Sequence, residues 1–380
     1  GGQKCACIVA ALLSRDHEVL LVTTRPVRRE MLEAVYGVNL SRVRFLLIRE
    51  PRLPAPFLRV YLNLLGVLLS DYARNKISQE TKKHDIFINY EMRFDIPPAA
   101  KKNLMFIHFP LLTALAPEVR RGSILGRIYS VPYNQIVSRM GLDDYKRRFY
   151  ADLYDRFYCN SEYTKYWTWK RLSVKPEVIY PPIDRMLDTT VARRNRILTV
   201  ARFDPRKRQL ELVEAFKEMC RAGLNNWEYH LVGDVFDREY FDNVRAEATG
   251  YPILFHVKAS SIELSKVYSG SKIFWHATGY QSQNPDDKEH FGIVVGEAMS
   301  AGCVPVVFDG GGHREIVRDK VDGFLWPTLE ELKRQTNLLI DNEDLRESMK
   351  MSSIERSRRF NRKTFEGKIT TIVAEVAKEF

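Results

Sequence analysis

The stretch KIFWHATGYQSQNPDDKEHFGIVVGEAMSAGCVPVVF, residues 272–308, decides the fold class of this chain. It begins and ends with short apolar runs, residues 272–275 and 304–308, whose aromatic and β-branched side chains predict strands. Between them a polar loop leads into residues 294–301, whose apolar and small side chains predict a helix. Two apolar strands joined by a helix predict a parallel pair, because parallel strands need a crossover connection.

The same alternation of strands and helices extends along the rest of the chain. Further strands are predicted at residues 18–23, 43–48, 85–89, 104–108, 156–159, 196–200, 228–232, 253–256 and 323–326. Helices are predicted at residues 4–14, 57–75, 124–140, 162–172 and 209–220. Continuous apolar strands separated by helices predict an α/β protein whose parallel sheets are covered on both faces.

A proline-rich break divides the alternation into two series. Residues 180–184 read YPPID, and the polar stretch that follows to Asn195 is typical of a linker. We therefore expect two doubly wound domains facing a cleft, residues 1–183 and 184–361. A terminal helix, residues 362–380, is expected to cross their junction. Because the chain opens on a Gly-Gly pair, the strand that normally precedes such a turn is expected to be missing from the first domain.

Charge is distributed unevenly between the two halves. The chain has 59 Lys and Arg residues against 48 Asp and Glu residues. Residues 1–190 hold 30 basic and 19 acidic side chains, whereas residues 191–380 hold 29 of each. An anionic surface or polyanionic partner is therefore expected at the first half.

Cysteine usage and chain ends indicate the compartment. The five cysteines have no metal-ligand spacing and are expected to be reduced thiols. The chain opens without a basic leader, and its most apolar stretch, residues 60–70, is free of charge for only 11 residues, whereas a membrane span needs roughly 20. We expect a cytoplasmic protein.

A basic loop follows the first strand of the second series. Residues 202–208 read RFDPRKR and lead directly into the predicted helix 209–220. Cations and free N–H groups at the carboxyl end of a strand favour an anion site, with Arg202 and Lys207 as candidates. The alternative is an ordinary solvated loop.

Two further motifs follow the next strands. Glu289 and Glu297 flank an apolar segment, and Gly292 between them lets backbone approach a ligand closely. The helix that begins there presents an N-terminus suited to phosphate. A turn of three glycines, residues 310–312, precedes Glu315. Read separately, these features also fit a chance pair of glutamates and a plain tight turn.

Together these motifs resemble those of the retaining GT-B enzymes of glycosyltransferase family four. The shared elements are Arg202-x4-Lys207, Glu289-x7-Glu297 and the Gly-rich turn before Glu315. The resemblance implies two Rossmann-like domains. It also implies that Arg202 and Lys207 hold a donor diphosphate, that Glu289 contacts the transferred sugar and that Glu297 binds the ribose. Further donor contacts fall on the backbone of Phe291, Gly292, Ile293 and Val294.

The first half carries a second resemblance. Residues 105–110 read MFIHFP and are similar to a segment of eukaryotic mannosyltransferases that extend dolichol-linked oligosaccharides, as are residues 159–161 and 180–184. This implies that His108 lies near the reacting sugar and that Gly2 borders the donor phosphates. A lone histidine at a strand end is otherwise a structural residue.

These resemblances lead to an expected reaction. The chain is expected to transfer a hexose, most simply mannose from GDP-mannose, to a lipid-linked or other glycan, with His108, Arg202, Lys207 and Glu289 as the catalytic residues. No Asp-x-Asp stands at a strand end, so no metal or other cofactor is expected, and cations with a helix terminus stabilise the leaving diphosphate. A UDP-sugar-dependent transferase and a GT-B nucleotide-sugar 2-epimerase are the alternatives. A nucleic-acid-binding protein is disfavoured, because the motifs lie in the neutral half.

Two segments suit a membrane surface. Residues 57–75 carry an apolar stripe, and residues 163–171 mix aromatic with basic side chains, which is typical of peripheral membrane helices. For residues 57–75 the periodicity favours a core helix over a membrane-surface helix. Peripheral binding to the cytosolic face of a membrane is therefore expected, with an anionic lipid surface and a polyprenyl-linked acceptor as partners.

Overall fold

The computed structural model describes residues 2–48, 74–90, 96–110 and 151–380. The sequence-predicted helix 124–140, residues 57–73 of the helix 57–75, and Gly1 lie outside the described residues. The chain divides into two compact units. The first comprises Gly1–Asn160, Thr164–Ile179 and Glu366–Phe380, and the second comprises Ser161–Tyr163 and Tyr180–Phe365. The main passage between them is at Ile179–Tyr180, whereas the sequence places the boundary after residue 183.

The described residues of the first unit form two parallel sheets. Its elements are α1 (Gly2–Leu13), β1 (Val19–Thr23), α2 (Arg29–Tyr36), β2 (Val43–Leu47), β3 (Ile86–Asn89), β4 (Lys102–Ile107), β5 (Arg156–Cys159), α3 (Glu162–Leu172), whose first two residues belong to the second unit, and β6 (Glu177–Val178). Strands β1 and β2 pair with each other, and the second sheet has the order β3-β4-β5-β6. His108 directly follows β4, and Asn160 directly follows β5. Because these two strands are parallel neighbours, both residues lie at the same edge of the sheet.

The second unit is built on one six-stranded parallel sheet. Its elements are β7 (Arg196–Val200), α4 (Gln209–Arg221), β8 (Glu228–Val232), α5 (Arg238–Glu247), β9 (Ile253–His256), α6 (Ser261–Gly270), β10 (Ile273–His276), α7 (Ile293–Ser300), β11 (Val304–Phe308), α8 (His313–Ile316), β12 (Phe324–Trp326), α9 (Leu329–Asp341) and α10 (Glu343–Ser357). The strands lie in the order β12-β11-β10-β7-β8-β9. Counted from β7, this is the doubly wound order 3-2-1-4-5-6, and the chain reverses direction across the sheet between β7 and β10. A crevice at the carboxyl ends of those two strands is where such sheets bind ligands.

Both faces of this sheet are buried. Neighbouring residues of a strand point to opposite faces, so Ile197 and Trp275 join one hydrophobic cluster, whereas Leu198 and Phe274 join another. All four side chains are fully buried. This two-sided burial explains why the strands are continuously apolar in sequence and why only their ends carry polar side chains.

The last helix, α11 (Arg362–Ala377), buries its apolar stripe. The predicted residues Phe365, Ile369, Ile372, Val373 and Val376 are all buried. The chain passes from the second unit to the first between Phe365 and Glu366. After that point the helix and the residues that follow it are held within the first unit by ion pairs, including Arg156 with Glu375 at 3.1 Å and Lys102 with Glu379 at 2.6 Å.

Candidate active site at the carboxyl edge of the second sheet

The loop after β7 is fixed by a buried aspartate. Asp204 caps the short 3-10 helix Pro205–Lys207 by accepting from the Arg206 N–H, and its carboxylate also receives the Arg206 guanidinium at 3.1 and 2.7 Å. Burial alone would raise the pKa of Asp204, but these hydrogen bonds outweigh it and hold the pKa below its usual value. The ionised cap therefore fixes the turn that presents Lys207.

Lys207 reaches Glu289 from the neighbouring strand end. Its Nζ donates to Glu289 Oε2 at 3.0 Å, and both side chains are about one-fifth exposed. Burial would raise the pKa of Glu289, but the charge of Lys207 prevails and lowers it far below its usual range. Glu289 is therefore a carboxylate at neutral pH, and Lys207 is its cation.

Two buried histidines extend this ion pair into the protein. His313 Nδ1 lies 2.8 Å from the carbonyl oxygen of Phe308, and His313 Nε2 lies 3.1 Å from His276 Nδ1. His276 Nε2 is 3.8 Å from Glu289 Oε2. We call Lys207, Glu289, His276 and His313 the inner chain. The sequence reasoning missed both histidines, although His276 ends β10 and His313 directly follows the glycine turn.

The glycine turn brings backbone against Glu289. Gly311 has φ +60°, and a Cβ there would lie 2.2 Å from the Glu289 carbonyl oxygen. Gly312 donates its N–H to that same oxygen at 2.7 Å, and a Cβ on it would meet the Phe291 Cα at 2.5 Å. Side chains at either position would therefore displace the segment that carries Glu289.

Helix α7 begins directly after this segment. Its N-cap, Gly292, has φ +109°, a conformation that favours glycine, and the helix start has no side-chain cap hydrogen bond. Phe291 is buried, while Ile293 and Val294 are half-buried. An uncapped helix N-terminus presents N–H groups and the positive end of the helix dipole, which suits an anion.

Glu297 lies further along α7 and faces inward. It is only 7% exposed, and its Oε2 is 3.3 Å from the hydroxyl of Tyr268. Burial raises the pKa of Tyr268 well above its usual value, so the hydroxyl remains a donor. Glu315 is engaged elsewhere, because its carboxylate accepts from the backbone N–H groups of Glu162 and Tyr163 at 2.8 Å each.

Arg202 lies at the outer side of the same edge. Its side chain is half-exposed and its guanidinium carbon lies 4.6 Å from the centroid of the Phe236 ring, with Asp204 at 3.9 Å. Phe236 follows β8 and is 61% exposed, which is unusual for a large apolar side chain. The sequence analysis did not select Phe236. Its position shortly after the end of β8 was the one sequence feature that could have indicated a place near the site.

In the first unit, His108 meets Gly2. A Cβ on Gly2 would lie 2.4 Å from His108 Nε2, so the start of α1 fits against the imidazole ring. Burial lowers the pKa of His108 to about 4, and its Nε2 has no hydrogen-bond partner among the described residues. The structure therefore joins these two predicted residues with each other, and separately gathers Arg202, Lys207, Glu289, the start of α7 and Glu297 in the second unit.

Residues 189–356 match the family model of the group 1 glycosyl transferases. This part of the chain is therefore similar to the group 1 glycosyl transferases. The match spans β7 to α10 and includes Arg202, Lys207, Glu289 and Glu297. The predicted resemblance to GT-B glycosyltransferases is thereby confirmed.

The curated proteins to which this chain is similar include several mannosyltransferases. The GDP-Man:Man(3)GlcNAc(2)-PP-Dol alpha-1,2-mannosyltransferase of Dictyostelium discoideum is 30% identical over 50% of this chain and 40% of that protein. Human alpha-1,3/1,6-mannosyltransferase ALG2 is 26% identical over 61% of this chain and 57% of that protein. The chain thus spans about half the length of these two relatives. ALG2 of Candida glabrata is 26% identical over 83% of this chain and 75% of that protein.

Solved structures share the fold over nearly the whole chain. Anabaena Alr3699/HepE in complex with UDP has a TM-score of 0.71 at 18% identity and covers 100% of this chain and 97% of that one. A glycosyltransferase from Rickettsia africae has a TM-score of 0.67 at 14% identity, covering 100% and 95%. The predicted GT-B fold class is confirmed by these likenesses.

One group of side chains in the second unit has donor atoms that lie as close together as those of a metal centre. Donor atoms of His276, Glu289 and His313 lie within 4.8 Å of one another. However, His276 faces His313 through Nδ1 and Glu289 through Nε2, whereas an ion needs ligand atoms that converge at about 2.0–2.2 Å. Lys207 already supplies positive charge at Glu289. The four side chains form two hydrogen-bonded pairs, His313 with His276 and Lys207 with Glu289, that face each other at 3.8 Å.

Proposed function

We propose that this protein is a retaining hexosyltransferase that moves mannose from GDP-mannose to a lipid-linked or other glycan acceptor without a metal ion. The observation that carries the proposal is the Lys207–Glu289 ion pair. It lies at the carboxyl edge of the sheet, where the strand order reverses between β7 and β10, and beside the start of α7, which has no side-chain cap hydrogen bond. A cation, a carboxylate and free N–H groups at that edge match the needs of a sugar diphosphate, which carries both negative charge and hydroxyl donors.

The geometry supports a division of roles. The ammonium group of Lys207 and the start of α7 stabilise the diphosphate as it leaves, and Arg202 adds a third positive group at the outer side. Preorganised charge of this kind contributes about 2.7–4 kcal/mol per donor group to transition-state stabilisation. Glu289 accepts hydroxyl groups of the transferred sugar, and Glu297 those of the ribose.

We assign no protein nucleophile. By resemblance to the family, the reaction is a front-face displacement in which an oxygen of the leaving phosphate takes the acceptor's proton. Lys207 is proposed to stabilise the leaving phosphate, because its ammonium group can turn from Glu289 to the phosphate. His108 is proposed to lie near the reacting sugar as a neutral imidazole, since burial lowers its pKa to about 4.

Donor and acceptor are proposed from the relatives. The Dictyostelium relative is named for GDP-Man and for a dolichol-diphosphate-linked glycan. The basic first half suits a lipid-linked diphosphate on an anionic cytosolic leaflet. Among the described residues no helix is long and apolar enough to cross a membrane. We propose peripheral association through the half-exposed Tyr166 and Trp169 of α3, with Lys170 stacked beside Tyr166.

The test is transfer of labelled sugar from a panel of GDP-, UDP- and ADP-sugars to dolichol-linked glycans, with a chelator or with added magnesium. We expect GDP-mannose to be the donor, product to retain the anomeric configuration, and chelator to have no effect. Transfer that appears only with magnesium would refute the metal-free mechanism. Epimerisation of a donor without acceptor would replace the transferase proposal altogether.

A further inference from the structure

The inner chain has a fixed order of protons. A carbonyl oxygen can only accept, so the 2.8 Å contact with Phe308 places a hydrogen on His313 Nδ1. Burial lowers the pKa of His313 below its usual value, so its ring is neutral and Nε2 carries a lone pair. That lone pair accepts from His276 Nδ1 at 3.1 Å. The hydrogen of His276 is thus on Nδ1, and its Nε2 also carries a lone pair.

This lone pair faces a carboxylate. His276 Nε2 lies 3.4 Å from the Thr278 hydroxyl, which can donate, and 3.8 Å from Glu289 Oε2, which cannot. Both the ring and the carboxylate are acceptors, and His276 is 1% exposed. One proton could therefore be bound between His276 Nε2 and Glu289 Oε2. Because this position is buried, neighbouring charges act strongly on it.

Neighbouring charges decide whether that site is filled. Lys207, on the 3-10 helix, holds Glu289 at 3.0 Å, and Asp309, at the end of β11, lies on the far side of His313. His290, on the loop that carries Glu289, is neutral because burial lowers its pKa to about 4. Burial is the largest cause that lowers the pKa of His276 well below its usual value; the neighbouring His313 and Lys207 lower it further, and Glu289 opposes them. With Lys207 in place, the site is empty at neutral pH.

Donor binding changes this balance. If Lys207 turns to a diphosphate, as the proposed function requires, the phosphate charge compensates the cation and Glu289 keeps its own charge facing His276. We propose that His276 then takes up a proton at Nε2 from solvent, so that nucleotide binding at Lys207 is coupled to protonation of the inner chain. The new N–H faces Glu289 Oε2, which lies 3.8 Å away, and its positive charge attracts the carboxylate. His276 is thus a positioning residue, which holds the carboxylate toward the sugar after Lys207 has left it.

The coupling has a definite sign. Because the bound state takes up a proton, nucleotide affinity is highest at low pH and falls as pH rises. Uptake of one proton corresponds to a change in Kd of about tenfold per pH unit. A site without the coupling shows no such slope beyond that of the nucleotide itself.

The test is calorimetric titration of the metal-free full chain with GDP, in buffers that differ in ionisation heat. At a pH of about 8 the terminal phosphate, whose second ionisation is near 6, is fully ionised and does not mask the effect. We expect net proton uptake when GDP binds. His276→Asn should reduce uptake to near zero while GDP still binds, because Asn keeps an N–H donor for His313 and has no titratable nitrogen.

A matched control is His230→Gln. His230 is a buried histidine of the same unit, bonded to His256 at 3.0 Å and Glu228 at 3.0 Å, and has no place in the inner chain. Its variant should keep the full uptake. Equal uptake in wild type and His276→Asn would overturn the inference while leaving the donor site intact. No binding of GDP or of any other nucleoside diphosphate would instead refute the donor site, and the inference with it.

A second readout needs no variant. Nitrogen NMR of the wild-type imidazoles should show one buried Nε2 pass from unprotonated to protonated when GDP binds. An unchanged spectrum in the GDP complex would overturn the inference even if His276→Asn failed to fold. Stoichiometric zinc in the purified protein would overturn it as well, because the lone pair of His276 would then be occupied.

Discussion

At the scale of single residues, Lys207 is the side chain on which the proposed chemistry depends most. It is held between the ionised cap of Asp204 and the carboxylate of Glu289, so its charge is placed before any donor arrives. Replacing it by methionine keeps the apolar stem and removes the charge. We expect Lys207→Met to lower kcat/KM for the nucleotide sugar by about 10²–10³, the range measured for loss of one preorganised donor.

The matched control for this loss is Lys217→Met. Lys217 lies on α4 of the same unit, pairs with Glu214 at 3.2 Å and also contacts Glu247. Its removal should leave kcat/KM unchanged, because among the described residues Lys217 pairs only with carboxylates of α4 and α5 and has no place in the proposed site. An activity of Lys207→Met equal to that of Lys217→Met would contradict the assigned role.

Phe236 tests whether Arg202 needs its aromatic support. The guanidinium carbon lies 4.6 Å from the ring centroid, and an exposed cation–π contact contributes about 0.5–1 kcal/mol. Phe236→Leu should therefore raise KM for the donor by roughly two- to fivefold with little change in kcat, whereas Phe236→Tyr should keep the wild-type value. Equal KM values for the two variants would show that the ring does not hold Arg202.

At the scale of elements, the strands were predictable and the contacts among their ends were not. Strands β7, β8, β9 and β11 match the predicted bounds, and α7 begins one residue earlier than expected. These strands are continuously apolar in sequence because both faces of the sheet are buried. The meeting of His276 with His313 depends instead on the register of β10 against β11 and on a tight glycine turn, which local patterns do not encode.

That turn gives the element-scale prediction. Gly311→Ala combines a left-handed backbone with a Cβ 2.2 Å from the Glu289 carbonyl oxygen, whereas Gly250→Ala, at φ +84°, meets nothing within 4 Å. Both variants should lose about 1 kcal/mol to backbone strain. Only Gly311→Ala should also lose GDP-induced thermal stabilisation, because it displaces Glu289 and the start of α7. Equal GDP shifts in the two variants would show that the turn does not position the site.

At the scale of the whole molecule, the fold class could be predicted from sequence, and the location proposed for the donor site rests on the coincidence of motifs with strand ends. The charge asymmetry was equally visible, since it needs only counting. Which surface displays that charge could not be read from sequence, because it depends on which side chains the fold leaves exposed. In the described part of the first half, Tyr166 and Trp169 are each 49% exposed, and Lys170 lies 5.7 Å from the Tyr166 ring centroid.

These features predict salt-sensitive binding to anionic membranes. The protein should float with vesicles that contain phosphatidylserine at low ionic strength, and less at high salt, because the screening length shrinks to about 3 Å at 1 M. Tyr166→Ser with Trp169→Ser should weaken flotation, since the interfacial aromatic groups are lost while the charge stays. The control Leu338→Ser removes an exposed apolar residue of the neutral second unit and should change nothing. Equal flotation with neutral vesicles would assign the attraction to apolar contact alone, and no flotation at low salt would exclude α3 as a membrane surface.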